Sequence, residues 1–290
     1  MSLDKLTIVG AGLLGGSLGL AAKERSLAKR VTALVRRQES VSECQALGVA
    51  DEVTLDEAEA IAAADVVVLC TPVASMAGLA KRWLSHLKNG ALVTDVGSTK
   101  RQLVDELTPL TASVGAHFVG SHPMAGSAQA GPSAARADLF DGAVCVITPT
   151  RDTDAGALHA VNDFWESLGS EPVEMSADEH DQLVARCSHL PHLLASALAK
   201  RVLDPSHGEL QQQLCATGFR DMSRLASGSP VMWRDIVRSN RDAILTVLDE
   251  FSVELEQLRA LVSEDSGGAI EKWLDEAKRA RDGWRAPDAD

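Results

Sequence analysis

Residues 5–15 read KLTIVGAGLLG. A short apolar run ends in Gly10-Ala11-Gly12-Leu13-Leu14-Gly15, and the next residues, GSLGLAAKERS, have helical character. No other stretch limits the fold as tightly. A strand that turns at once into a helix needs a glycine with backbone freedom, here Gly10. A second glycine, Gly12, leaves the backbone bare so that a phosphate can approach it. A third, Gly15, lets the helix lie close on the strand. The helix start then offers unpaired N–H groups and the positive end of its dipole. The pattern predicts a dinucleotide site held by Gly10, Gly12, Leu13, Leu14 and Gly15. A glycine-rich turn without a ligand is the plainer alternative, and the strand–turn–helix order weighs against it.

Further apolar runs follow: VTALVR (31–36), ADVVVLCTP (64–72), ALVTDVG (91–97), HFVGSHP (117–123), GAVCVITP (142–149) and EPVEM (171–175). Most are continuous rather than alternating, as expected for strands covered on both faces. Helical patterns such as VASMAGLAKRWLSHL lie between the early ones. The fold class predicted is therefore α/β, an N-terminal Rossmann dinucleotide-binding domain. After about residue 175 the patterns are helical, beginning with SADEHDQLVARCSHLPHLL, where Ser176 is a capping residue before acidic positions. The expected division is 1–174 for the Rossmann domain and 175–290 for a C-terminal all-helical domain. The last residues, RAPDAD, read as a polar tail.

Lys and Arg number 28 against 41 Asp and Glu, a net charge of −13. That balance argues against a nucleic-acid surface. Five widely spaced cysteines without a CxxC pair point to reduced thiols, and so to the cytoplasm. The opening residues enter a strand at once and are broken by glycines, unlike a signal peptide. No apolar run reaches the ~20 residues of a membrane span.

The strand 31–36 ends in Arg36-Arg37, where an NAD binder would carry a carboxylate for the ribose 2′-OH. A guanidinium can grip a 2′-phosphate through parallel charge-assisted hydrogen bonds. NADP is thus favoured as cofactor over NAD, with solvated surface arginines as the plain alternative. Thr71 and Pro72 close the 64–72 run, where a cofactor ribose would lie. His122, after FVGS, and Ser98, after DVG, stand at neighbouring strand ends. An imidazole bonded to a hydroxyl is a general-base arrangement. Small residues after it (Ala125, Gly126, Ser127, Ala128, Ala130) leave room for a substrate. No metal site is expected: His189 and His192 are interrupted by Pro191 and lack a third ligand.

The segment GSHPMAGSAQAG (120–131) resembles the His-Pro-Met-Ala-Gly signature of prephenate and arogenate dehydrogenases. The likeness continues through DVGS (95–98), SHLPH (188–192) and GFRDMSRLASGSPVMWRDI (218–236). It implies oxidative decarboxylation of prephenate or arogenate with hydride transfer to NAD(P)+. On that resemblance His122 takes or polarises the ring hydroxyl proton and Ser98 orients that hydroxyl and the imidazole. Arg224 meets a substrate carboxylate. Ser188 and His192, four residues apart on one helical face, line the pocket with Ser127. Asp221 is an orienting or purely structural neighbour. Trp233 matches a tryptophan that reaches the site from a partner subunit, which implies a homodimer through the helical domain. No fused mutase or regulatory module is expected. Many relatives carry Glu where this chain has Ala128, so keto and amino side chains remain alternatives for the substrate. Two other function classes would leave marks in the sequence. A β-hydroxyacid dehydrogenase needs a catalytic lysine in the first helix of the second domain, and 180–199 has none. A dinucleotide-sensing regulator would add a basic helix–turn–helix, which is not visible.

Overall fold

The computed structural model describes residues 3–127, 129–264 and 267–284. Ala128 and the tail RAPDAD therefore lie outside the described residues. Six parallel strands form the main sheet: β1 (Leu3–Val9), β2 (Ala28–Leu34), β3 (Glu52–Thr54), β4 (Val66–Leu69), β5 (Leu92–Asp95) and β6 (His117–Phe118). Their order is β3-β2-β1-β4-β5-β6, with Val9 opposite Leu34 on one side and Leu69 on the other. This is the doubly wound Rossmann order, whose crevice opens at the carboxyl ends of the strands. The continuous apolar runs are explained by the pleat. Val66 and Val68 join a core cluster with Leu6, Ile8 and Leu92, while Val67 and Leu69 join another with Val9 and Val93. Each such fully buried side chain contributes about 1.5–3 kcal/mol.

Five helices connect these strands: α1 (Leu13–Glu24), α2 (Gln38–Ala46), α3 (Glu57–Ile61), α4 (Val73–Trp83) and α5 (Arg101–Ala112). The run 117–123 is not one strand. It breaks at Val119, and β7 (Gly120–Pro123) leaves the main sheet to pair antiparallel with β8 (Val144–Thr148). After α6 (Ala155–Ser167), β9 (Glu171–Glu174) pairs parallel with β8. The break has a packing cause: a Cβ on Gly120 would lie 2.5 Å from Thr148 Oγ1, so only a bare backbone fits there. His122 consequently sits within a strand of the second sheet, opposite Val146, and not at a free strand end.

The remaining elements are helical: α7 (Ala177–Val184), a π turn (Ala185–His189), α8 (Leu190–Val202), α9 (Gly208–Gln213), α10 (Thr217–Ser223), α11 (Pro230–Ser239), α12 (Arg241–Ser263) and α13 (Gly267–Gly283). Ser176 caps α7 by accepting from the Glu179 N–H at 3.1 Å. By compactness the chain divides into 1–240 and 241–290. Within the second unit, α12 packs on α13. Among the described residues no helix is long and apolar enough to cross a membrane.

Candidate active site

The glycine loop is shaped as its sequence demands. Gly10 has φ +96°, and a Cβ there would lie 2.9 Å from the Cys70 carbonyl oxygen. A Cβ on Gly15 would lie 2.0 Å from the Gly10 carbonyl oxygen, so helix and turn touch through backbone. Gly12, by contrast, has open space around it, and it starts α1 without a side-chain cap. Of the three loop glycines, Gly12 alone is uncrowded, and no side chain caps the first turn of α1 there. Beside the loop, Thr71 Oγ1 is buried and unpartnered among the described residues. Pro72 then opens α4. A cradle of free N–H groups next to an orphaned hydroxyl fits a dinucleotide pyrophosphate and ribose. Arg36 and Arg37 are exposed at the end of β2, and their side chains make no hydrogen bond or ion pair among the described residues.

Around His122 the structure is far more committed. His122 Nδ1 lies 2.8 Å from His180 Nε2, and His180 Nδ1 lies 2.8 Å from Asp181 Oδ1. The Asp181 carboxylate also accepts from the backbone N–H groups of Lys100 (2.8 Å) and Arg101 (3.0 Å), capping α5 from another helix. Its acceptor role assigns the tautomers. His180 carries its proton on Nδ1, so its Nε2 accepts from His122 Nδ1–H. The lone pair of His122 is then on Nε2, which has no hydrogen bond among the described residues. Desolvation, with the nearby Lys100 charge second, holds the His122 pKa well below its ordinary 6.5, so the ring is neutral.

This corrects the expected pairing with Ser98. Ser98 is half-buried ahead of α5 and makes no side-chain hydrogen bond among the described residues. The imidazole is oriented by His180 because β7 runs in the second sheet, where its ring meets α7. His180 and Asp181 are functional residues that sequence reading missed. Both are buried. The available signal was two titratable residues on the inward face of an amphipathic helix, disguised as the acidic first turn that helices favour.

The second half of SHLPH builds a different pocket. His192 stacks on Trp233, with ring centroids 3.5 Å apart and planes 9° from parallel. His189 meets the same indole edge-on at 6.0 Å. Gly228 makes the stack possible, since a Cβ there would lie 2.6 Å from Trp233 Nε1 and 2.8 Å from His192 Cε1. Within one chain, Trp233 at the start of α11 thus meets His192 of α8 beside that glycine. Asn240 donates to the Asp181 carbonyl at 2.7 Å and lies 3.2 Å from His189 Nδ1, which therefore accepts. Burial lowers the His189 pKa to about 4, and burial lowers that of His192 too. A pocket of about 340 Å³ lies here, lined by His192, Ser196, Pro230, Trp233, Arg234 and Arg238.

Ser188 does not share the burial of His192. Ser188 is exposed in the π turn while His189 and His192 are buried. Ser127 and Arg224 are exposed as well, and the Arg224 turn packs against α8. The Arg224 side chain has no ion pair among the described residues. Asp221 pairs with the adjacent Arg220 at 3.4 Å, both exposed. Among the described residues no group of three His, Cys, Asp or Glu side chains could hold a metal ion.

Residues 18–174 match the family model "Prephenate dehydrogenase, nucleotide-binding domain", and residues 176–276 match "Prephenate dehydrogenase, dimerization domain". The chain belongs to the prephenate dehydrogenase family. Its relatives in this family include the prephenate dehydrogenase of Bacillus subtilis, 35% identical over 97% of this chain and 76% of that protein. Among solved structures, prephenate dehydrogenase from Aquifex aeolicus, in complex with hydroxyphenyl propionate and NAD+, superposes with a TM-score of 0.91 at 31% identity, covering 97% of this chain and 98% of that one. Synechocystis arogenate dehydrogenase superposes with a TM-score of 0.82 at 31% identity, covering 96% and 99%. Membership in the prephenate dehydrogenase family favours dehydrogenase chemistry with a nicotinamide dinucleotide over both alternatives weighed from the sequence.

Proposed function

We propose that this chain catalyses the oxidative decarboxylation of prephenate, arogenate or both, with NADP as its preferred hydride acceptor. The observation that carries the reading is the Asp181–His180–His122 chain, which presents one unprotonated imidazole nitrogen, His122 Nε2, beside the dinucleotide cradle's sheet. Gly10, Gly12, Leu13, Leu14, Gly15, Thr71 and Pro72 would hold the dinucleotide, which would supply the acceptor for the hydride of the ring carbinol. His122 Nε2 takes the carbinol proton as that C–H bond breaks, and His180 steadies the charged ring by accepting at its Nε2 from His122 Nδ1–H. The ring C–COO bond then breaks, CO2 leaves, and its electron pair restores aromaticity while the oxygen recovers the proton from His122. Aromatisation supplies the driving force, so the protein's task is position and one proton acceptor.

Ser98, ahead of α5, orients the substrate hydroxyl. Arg224 receives a substrate carboxylate, with Ser127, Ser188, His192 and Trp233 around the side chain. The unpaired guanidiniums of Arg36 and Arg37 support NADP over NAD. The domain division proposed is 1–174 and 175–290, with the helical part joining two chains. Its many exposed apolar residues, Leu210, Leu214 and Met222 among them, support that dimer. The deciding assay follows dinucleotide reduction at 340 nm with prephenate and with arogenate, each with NADP+ and NAD+. The expected outcome is turnover of at least one substrate, faster with NADP+. No turnover of either rejects the reading.

A further inference from the structure

Lys100 is the largest charged side chain withdrawn from solvent in the described chain, with no exposure at all. Its ammonium donates to the Asp95 carboxylate, which has no side-chain exposure either. It also donates to the carbonyl oxygen of Ser121, the residue before His122, at 2.7 Å. Ser121 is fixed on every polar atom. Its N–H donates to Asp95 Oδ1 at 3.1 Å, and its hydroxyl is held by the Thr94 hydroxyl (2.8 Å) and the Trp165 indole N–H (2.9 Å). The Lys100 N–H meets the same Asp181 carboxylate that orients His180.

Lys100 thus ties together the end of β5, the strand bearing His122 and the carboxylate that sets the tautomers. Burying a charged pair carries a desolvation cost that an apolar pair of the same volume would avoid. A positive charge beside a base also makes that base harder to protonate. We propose that Lys100 is a positioning residue that fixes the place and the proton affinity of His122, keeping Nε2 unprotonated for catalysis. This rests on the reading of His122 as the base. The other groups facing His122 are His180 and Asp181 from α7, His189 from the π turn, Asp95 from β5 and Cys145 from β8.

The test titrates His122 by NMR in protein with 15N-labelled imidazoles, comparing the wild-type chain with Lys100→Met. In the wild type, His122 is expected to remain neutral well below pH 6.5. In Lys100→Met its titration should rise by about one pH unit, and the acid limb of kcat/KM should move up with it. An Asp95→Asn/Lys100→Met double variant removes both buried charges and covers the case in which the single variant does not fold; loss of the carboxylate offsets part of the rise, so a smaller upward shift is expected. A wild-type His122 titrating near 6.5 overturns the proposal. So does any folded variant that loses stability or rate while the His122 titration stays in place, since that is the behaviour of a purely structural lysine. The titration needs no substrate, so its failure leaves the proposed activity standing, and absence of turnover in the wild type leaves the titration readable.

Discussion

The proposed proton-handling end of the candidate site and its proposed anion-binding end are built on opposite terms. Behind His122, the supporting polar groups are met by the protein: Asp181 accepts three hydrogen bonds, His180 is held at both nitrogens, and Ser121 at its N–H, carbonyl and hydroxyl. Around Arg224, Ser127 and Ser188 the side chains are exposed, and Arg224 has no protein partner among the described residues. A base must present one nitrogen at one place before substrate arrives, because a misplaced acceptor loses rate even when binding is intact. A cation that grips a carboxylate is best left unpaired, since a protein partner would compete with the ligand.

Substitution should break the two ends in different currencies. His122→Asn removes the acceptor nitrogen while keeping a group of similar size. It should lower kcat by on the order of 10²–10⁴ and leave cofactor affinity unchanged, as checked by steady-state kinetics and by coenzyme fluorescence titration. An unchanged kcat would refute the assignment. Arg224→Ala should act on the other parameter. Loss of a charge-assisted carboxylate contact is worth roughly 2–3 kcal/mol, so KM should rise about 30- to 150-fold with a smaller fall in kcat. If Arg224→Ala lowered kcat alone, the cation would belong with the proton machinery and the contrast would collapse.

The same contrast governs what was legible in the sequence. Features enforced by local backbone physics could be read: the Gly10–Gly15 turn, the apolar runs of the sheet, and the Ser176 cap before Glu179. His122 was visible because a lone imidazole among small residues has little structural use. Features made by contacts between distant segments were hidden. Lys100 looks like a solvated charge in STKRQ, yet it is fully buried by partners 5 and 21 residues away. His180 and Asp181 passed for a helix's acidic start. β3 has three residues and two of them, Glu52 and Thr54, are polar, so no apolar run marked it. The run 117–123 was continuous in sequence and split in space, because the chain changes sheets at Gly120 without a turn signal. A hydrogen bond between Ser98 and His122 is expected from neighbouring strand ends, but His122 Nδ1 is taken by His180, a partner 58 residues away that no local pattern marks.

Arg36 and Arg37 sharpen the comparison from the cofactor side, with the smallest expected effect. Like Arg224 they are exposed cations without a protein partner among the described residues, and they follow β2, the place proposed for the ribose 2′ position. A bound 2′-phosphate gains charge-assisted hydrogen bonds there, but in open solvent and under salt screening, so each contact is worth less than at an enclosed site. The double variant Arg36→Ala/Arg37→Ala should therefore shift the ratio of kcat/KM for NADP+ over NAD+ by roughly tenfold toward NAD+, and raising ionic strength should shrink the wild-type preference in the same direction. The variant's rate with NAD+ should stay near wild type, since neither arginine touches the His122 chain. A ratio that does not move would mean that these two guanidiniums are solvated surface charges and that an unpaired cation is no guide to an anion's place in this fold.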